Sequence, residues 1–315
     1  MSSHLSHLRT LARRLHPVEE SGHLIRRAKY VGRLWLNPGA RALYRQQQEQ
    51  PLLAQAISRF PDILEKPIHP YRHKGLRKHL RAELISGHYQ QLARQLPKAQ
   101  QLAIYSGRGL LLAQWQSDKL TAPLTLQLDY QTHMGKEGEM SLTLQLDYQT
   151  HMGKEGEMSL TLKLGDAALY YMALNLRPAP NPTLEICSLQ GGKGQSEEIK
   201  LVTKACGGLR PMSLLVYMAA ELARGLACKS LLGIRTQSHV YQSNKRTADR
   251  VKFDLDGLWQ EHQGCVQDEL WMSLPLEVPR KTLEEIPSRK RASYKARYQL
   301  LDQLGSELQA NLLRS

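Results

Sequence analysis

No stretch of this 315-residue chain stays apolar for the roughly 18 residues that a membrane helix needs. The best candidate, 212–234, is interrupted by Glu221, Arg224 and Lys229, which excludes a span there. Cysteine is scarce. Cys187, Cys206, Cys228 and Cys265 lie 19, 22 and 37 residues apart, without a C-x-x-C or other metal-ligand spacing. That excludes a disulfide scaffold and a zinc ribbon. Free thiols suit a reducing cytosol, and each is expected as a small core residue. The start lacks an uninterrupted apolar segment with a small-residue cleavage site, so no secretory signal is expected. An Arg-rich, acid-poor opening leaves a mitochondrial-type presequence open. Neither a P-loop nor a dinucleotide fingerprint is present. No helix-turn-helix or zinc-finger pattern appears, and Trp, Tyr and basic residues are not interleaved as an RNA surface requires. A nucleic-acid role therefore rests on net charge alone, and no specific nucleic acid is expected.

What is present is an ordinary globular composition, 41% hydrophobic and 23% charged, with enough length for one large domain or two modest ones. Its charge is lopsided. Of the net +14, residues 1–120 carry +13 (20 basic, 7 acidic), 121–200 carry −4, and 201–315 carry +5. A field of that sign attracts polyanions such as anionic lipid head groups; the plain alternative is a solvated basic face. Leu5, Leu8, Leu11, Ala12 and Leu15 recur at helical spacing among Arg9, Arg13 and Arg14. A second basic-apolar stretch, 24–36, ends in Leu34-Trp35-Leu36. Such helices can lie on an anionic membrane, although packing on their own domain is the commoner use.

Residues 1–100 read as helical, punctuated by Pro51, Pro61, Pro67, Pro70 and Pro97, with a helical pattern over 75–95. Strands are expected at 102–105, 110–115, 160–164, 167–176, 184–190 and 229–234. Between them, LTLQLDYQTHMGKEGEMS at 124–141 is repeated letter for letter at 142–159. Each copy reads as a strand, with Leu124, Leu126, Leu128 and Tyr130 on one face, followed by a turn. One copy is expected to pair normally and the other to form an extra edge hairpin or bulge out, since two identical segments cannot hold one slot. Ser196 is expected to cap a helix ended by Gly207-Gly208, and Pro211 to start a buried helix over 212–227. The tail from 288 to 313 reads as a polar helix.

Several places invite chemistry. His239, just past the strand at 230–235, is a candidate general base, with a hydrogen-bonded structural histidine as the simpler reading. Asp254 and Asp256 could form a carboxylate pair on one strand face; helix caps are the preferred reading. Gly191-Gly192-Lys193-Gly194 reads as a glycine turn before an anion loop. His88 has no ligand-spaced partner.

Taken together, certain strings resemble the VirK/YbjX family of bacterial proteins over about 25–300. They are Ile68-His69-Pro70-Tyr71 with His88-Tyr89, and His-Met-Gly-Lys-Glu-Gly at 133–138 and 151–156. They continue with Leu189-Gln190-Gly191-Gly192, Gly208-Leu209-Arg210-Pro211, Gly233-Ile234 and His239-Val240-Tyr241. The last are Phe253-Asp254-Leu255-Asp256 with Trp259 and Glu261, and Ile286 to Tyr294. The departure is the doubled block, which the family pattern has once. The resemblance implies a cytoplasmic protein, peripheral at the inner membrane, that serves cell-envelope homeostasis, virulence and antimicrobial-peptide resistance. It brings no catalytic residue set. A looser likeness joins the strand–helix–strand unit over 184–235 to GNAT-type acyltransferases. That likeness implies acyl-CoA held at Gly207, Gly208, Leu209 and Arg210, with His239 as base, although the usual R-x-x-G-x-G/A signature is missing.

The resulting expectation is an α+β protein, a basic helical N-terminal region followed by a mixed, mostly antiparallel sheet flanked by helices. The boundaries are 1–60 for the basic region, 61–300 for the VirK/YbjX-like domain and 301–315 for the end of the C-terminal helix. The expected partner is an anionic membrane surface or lipid.

Overall fold

The computed structural model describes residues 2–107, 109–130, 153–192, 194–248, 253–282 and 284–313. Its N-terminal part is all helix: α1 (Ser2–Leu15), α2 (His23–Leu36), α3 (Pro38–Gln46), α4 (Pro51–Arg59), a 3-10 helix (Pro61–Ile68), α5 (Lys78–Gln95) and α6 (Lys98–Tyr105). Prolines occupy the first turns of α3, α4 and the 3-10 helix, where a missing N–H costs nothing. Asn37 caps α3 by accepting from the Ala40 N–H at 3.0 Å. The remainder runs β1 (Leu110–Trp115), β2 (Leu124–Tyr130), β3 (Met158–Leu164), β4 (Ala167–Arg177), β5 (Thr183–Gly191), α7 (Ser196–Ala205), α8 (Pro211–Gly225) and β6 (Ser230–Ile234). Then come α9 (Lys245–Ala248), α10 (Leu255–Glu261), β7 (Cys265–Val266), β8 (Trp271–Leu274) and α11 (Arg291–Leu312).

The strands form one sheet in the order β1-β2-β3-β4-β5-β6-β8-β7. Every neighbouring pair is antiparallel except β5 and β6, which are joined through α7 and α8. The parallel pairing runs from Thr183↔Ser230 to Ile186↔Gly233; β5 then continues to Gly191 beside β4 alone. Helices α5 and α6 pack on β4, β2 and β1, α8 crosses β3 to β6, and α11 lies on β1 and α8. Strands β3 and β5 are buried almost throughout, as expected of strands covered on both faces. One hydrophobic core extends from Leu8 to Leu312 and includes the N-terminal helices.

The α+β architecture and the strands from β1 to β6 agree with the sequence reading. Four elements differ. Residues 102–105 lie in α6, not a strand: Gln101, Ile104 and Tyr105 face inward at helical spacing, while Leu102 is exposed. Four residues are too few to separate the two periods. Ser196 is the first helical residue of α7 and Gln195 occupies the cap position, so no side chain caps that end. Cys265 is exposed on the edge strand β7, whereas Cys187, Cys206 and Cys228 are buried. Helix α11 is not polar all round; Leu300, Leu301, Leu304, Leu308 and Leu312 make a buried line at helical spacing.

The duplicated block is used in halves. The first copy supplies β2 (124–130), whose alternate residues Leu124, Leu126, Leu128 and Tyr130 are buried. The second copy supplies 153–159, leading into β3, and β2 pairs directly with β3 from Tyr130↔Met158 to Leu124↔Leu164. No strand intervenes between them in the sheet order. The expected extra hairpin or bulge falls on 131–152, outside the described residues.

Candidate functional site

The segment after the 3-10 helix turns sharply across the sheet. Arg72 adopts φ 64°, a left-handed conformation that a non-glycine residue takes only when its surroundings impose it. They do: the Arg72 N–H donates to the Lys154 carbonyl at 2.7 Å, the Lys74 N–H to the Ser238 carbonyl at 2.8 Å, and His73 bridges to His239. From α5, the Arg81 guanidinium donates to the carbonyls of Leu76 at 3.1 Å, Pro67 at 3.3 Å and His69 at 2.5 Å. Three family strings, Ile68–Tyr71, Gly153–Gly156 and His239–Tyr241, thus meet at one place.

Beneath this crossing lies a buried polar cluster. Lys66 Nζ is 2.8 Å from Glu157 Oε1, and neither side chain has exposed surface. Glu157 also accepts from the hydroxyls of Tyr71 at 2.7 Å and Tyr89 at 2.8 Å. The Tyr71 hydroxyl oxygen also lies 3.0 Å from Asn175 Oδ1, and Tyr130 donates to Asp62 Oδ2 at 3.3 Å. Burial raises Asp62 to about 6, against the lowering effect of Lys66. His88 takes the Leu176 N–H on Nδ1 at 2.9 Å and meets the Tyr105 hydroxyl through Nε2 at 3.0 Å. Burial, reinforced by the Lys66 charge, pushes His88 down to about 3. The bonds of this cluster close on one another, so it holds structure in place and does not present a reactive group.

Two further carboxylates are buried. Glu185 of β5, fully buried, pairs with Arg72 and with Arg177, whose Nε lies at 3.0 Å. Glu155 accepts from Gln190 Nε2 at 2.7 Å and faces His239 Nε2 at 3.3 Å, while Tyr171 donates to Gln190. His239 is therefore buried, with Nδ1 accepting from the Tyr241 N–H at 3.3 Å.

The two aspartates take different partners. Asp254 caps α10, accepting from the Gly257 N–H at 3.0 Å. Asp256 accepts from the Thr236 N–H at 2.6 Å and from Arg235 Nε at 3.0 Å; these bonds outweigh burial and lower its carboxyl from the usual range. Both border an open cleft of about 500 Å³, with Lys74, Arg235, Thr236 and Gln242, whereas His239 turns away to Glu155. In the 207–210 loop, the N–H groups of Gly207, Gly208 and Leu209 donate to the carbonyls of Lys204, Thr203 and Cys206, closing the end of α7. Arg210 pairs with Glu261, and Ser293 and Arg297 of α11 donate to the Gly207 carbonyl at 2.7 and 2.9 Å. What this loop still offers an anion is the Arg210 guanidinium and the first-turn N–H groups of α8.

Arg72, Glu155, Glu157 and Glu185 were not singled out by spacing, because they lie far apart in the chain. The usable signal was their position inside or beside the family strings, together with charged residues inside otherwise buried strands.

The basic helices also part company. In α1, Leu8, Leu11 and Ala12 are buried in the core. In α2, Tyr30 and Leu34 anchor the helix, Tyr30 donating to the Pro61 carbonyl at 2.8 Å. Its opposite face is apolar and bare: Leu24, Ile25, Trp35 and Leu36 are 68, 63, 62 and 72% exposed. Arg26 and Lys29 flank that face, also exposed. No described helix is long and apolar enough to cross a membrane, and no metal-binding cluster occurs among the described residues.

A family model described as "Protein of unknown function (DUF535)" matches residues 19–150 and 142–310. The two matched stretches overlap within the duplicated block, consistent with a family pattern that contains the block once. An uncharacterised protein of Haemophilus influenzae is 41% identical over 135 residues, 42% of this chain and 44% of its own length. The uncharacterised protein YbjX of Escherichia coli K12 is 27% identical over 263 residues, 82% of this chain and 74% of its own length. Another Haemophilus influenzae protein is 36% identical over 122 residues, 38% of this chain and 40% of its own. The matched part thus spans less than half of the Haemophilus relatives. No solved structure matches.

Proposed function

The chain belongs to the protein family described as "Protein of unknown function (DUF535)", the VirK/YbjX family, and from that premise we propose that it is a peripheral factor on the anionic, cytoplasmic face of the bacterial inner membrane. Its role there would be the envelope upkeep, virulence and antimicrobial-peptide resistance that the family resemblance implies. The observation that carries this reading is the bare outer face of α2. A helix anchored by one apolar line while exposing a second, beside Arg26 and Lys29, suits the boundary between head groups and acyl chains. Burying four large apolar side chains contributes several kcal/mol on the scale of ~1.5–3 kcal/mol each, discounted for partial immersion. Each basic residue near an anionic surface adds about 1 kcal/mol. The charge of +13 over residues 1–120 selects an anionic bilayer over a neutral one.

Sedimentation with vesicles tests this. The protein should pellet with phosphatidylglycerol vesicles and not with phosphatidylcholine vesicles. Replacing Ile25→Asp and Trp35→Asp together should cut binding about tenfold or more while leaving the circular dichroism unchanged. A wild-type protein that stays in the supernatant at low ionic strength, or a double variant that binds as well as wild type, overturns the reading.

A second reading, an acyl-CoA-dependent transferase, is favoured by one feature. The parallel pair β5 and β6 stops pairing at Ile186↔Gly233: β6 ends at Ile234 while β5 runs on to Gly191 beside β4 alone, an unpaired edge of the kind the GNAT likeness calls for. Here Asp254 and Asp256 would border the substrate cleft and Arg210 would meet the pyrophosphate, while His239, turned toward Glu155, would have to reorient into the cleft to act as base. Acyl-CoA titration by calorimetry, with Arg210→Ala as control, tests it; absence of heat in the folded wild type removes it.

A further inference from the structure

Arg72 borders a second cleft, of about 350 Å³, that no sequence motif announces. Its charged lining is Arg72, Arg77 and Arg177, its apolar wall is Leu76, Leu80 and Leu84, and no carboxylate lines it among the described residues. Glu185 sits behind Arg72 and Arg177 and neutralises one of the three guanidinium charges. Arg77 has no ion pair among the described residues and is exposed. Arg72 is only 4% exposed, yet its Nε has no hydrogen-bond partner among the described residues. A buried guanidinium N–H left unsatisfied is costly, and the left-handed backbone of Arg72 adds to that cost.

The cleft also lies at the start of α5. That helix has 18 residues, no side-chain cap and no acid in its first turn. Apart from the Leu80 N–H, which donates to the Arg77 carbonyl at 3.1 Å, its first N–H groups therefore present an uncompensated positive end. Two surplus guanidinium charges and an open helix start converge on one place, beside the buried Arg72, which fits an oxyanion with several oxygens. The three leucines beside them fit an apolar group attached to that oxyanion, and free phosphate would leave them unused.

Position supplies the remaining link. The outward-facing end of α2 carries Trp35 and Leu36 and turns at once into α3. There a β-carbon built on Gly39 would stand 3.8 Å from the Lys78 carbonyl oxygen, in the first residue of α5. The start of α3, which follows α2 directly, thus packs beside the start of α5 that borders the cleft. We propose that the cleft is a head-group site for a phosphate-bearing lipid. The phosphate would lie between Arg77, Arg177 and the start of α5, and Leu76, Leu80 and Leu84 would meet the glycerol and first acyl carbons. This assignment deepens the membrane reading and rests on it for the source of the ligand.

The test uses the full-length protein and dihexanoyl phosphatidic acid below its micelle concentration, so that no bilayer is needed. Calorimetry should show binding to wild type. Arg77→Glu, an exposed change, should weaken it about tenfold or more, the scale of one charge-assisted hydrogen bond. Leu80→Asp should weaken it too, and both variants should melt like wild type. The Ile25→Asp, Trp35→Asp protein should bind the soluble lipid normally while failing to pellet with vesicles. No heat with folded wild type, or no effect of Arg77→Glu, overturns the site. Inorganic phosphate binding as tightly as the lipid overturns the lipid assignment, because the leucine wall would then contribute nothing. Failure of the membrane reading looks different: vesicle pelleting is absent while the soluble lipid still binds.

Discussion

Lys66 and Glu157 show how a single residue pair can hold distant segments together. Both lie at the bottom of the core, where removing one partner strands the other's charge without water. Lys66→Met should therefore destabilise by about 3–5 kcal/mol, with Tyr71 and Tyr89 still donating to an uncompensated carboxylate. Adding Glu157→Gln should recover much of that loss. Urea denaturation of the single and double variants measures it; equal losses in both would mean the pair is not coupled. His88 sets a pH limit on the same core. Its folded value near 3, with burial as the main cause, lies below the ordinary 6.5, and burial also lowers His69 and His262 to about 4. The unfolded chain then binds protons that the folded one refuses. Stability present above about pH 6.5 is lost progressively as pH falls toward 3. Asp62 runs the other way: raised to about 6, it favours the folded state at low pH and loses that contribution between about 3.8 and 6. The lowered histidines, His73 among them, outweigh the raised carboxylates Asp62 and Glu65, so the urea midpoint should fall from pH 7 to pH 5. His88→Phe should lower the midpoint at pH 7, by stranding the Leu176 N–H, and flatten the slope.

At the scale of elements, the doubled block is the feature that most needs explaining. The chain takes its strand from one copy and its turn from the next, and the surplus falls in the connection 131–157 between β2 and β3. Deleting 142–159 gives the same chain as deleting any 18-residue window of the repeat, and shortens that connection from 27 residues to nine. Loop closure over a third of the length is cheaper by about 1 kcal/mol. The deletion variant should melt a few degrees higher with unchanged circular dichroism; a variant that fails to fold would show that the surplus residues support the sheet. Helical and strand periods identified α5, α8 and β1 to β6, because each is long enough, or alternates cleanly enough, to separate the two periods. Residues 102–105 were too short for that, and α11 concealed its buried leucines among polar neighbours.

For the whole molecule, the decisive quantity is the uneven charge. The excess over residues 1–120 is borne by helices that pack into the main core, so it acts as a surface field on a compact body and not as a loose basic tail. Vesicle binding should therefore be strongly salt-dependent, weakening about tenfold or more between ~50 and ~300 mM salt as the Debye length contracts. Binding that ignores salt would mean that the apolar face of α2 acts alone.

Composition and pattern alone determined the helix-then-sheet order, the basic N-terminal third and the duplication, because each is a property of neighbouring residues. They also raised both basic helices as membrane candidates and could not choose between them. That choice belongs to tertiary structure: an amphipathic period records that a helix has an apolar face, not whether the fold covers it. The candidate clefts were hidden for the same reason. Arg72 and Arg177 meet Glu185, beside Arg77 at the start of α5, only once a left-handed turn at Arg72 brings the loop across β4 and β5. That meeting depends on distances in space that no spacing along the chain encodes.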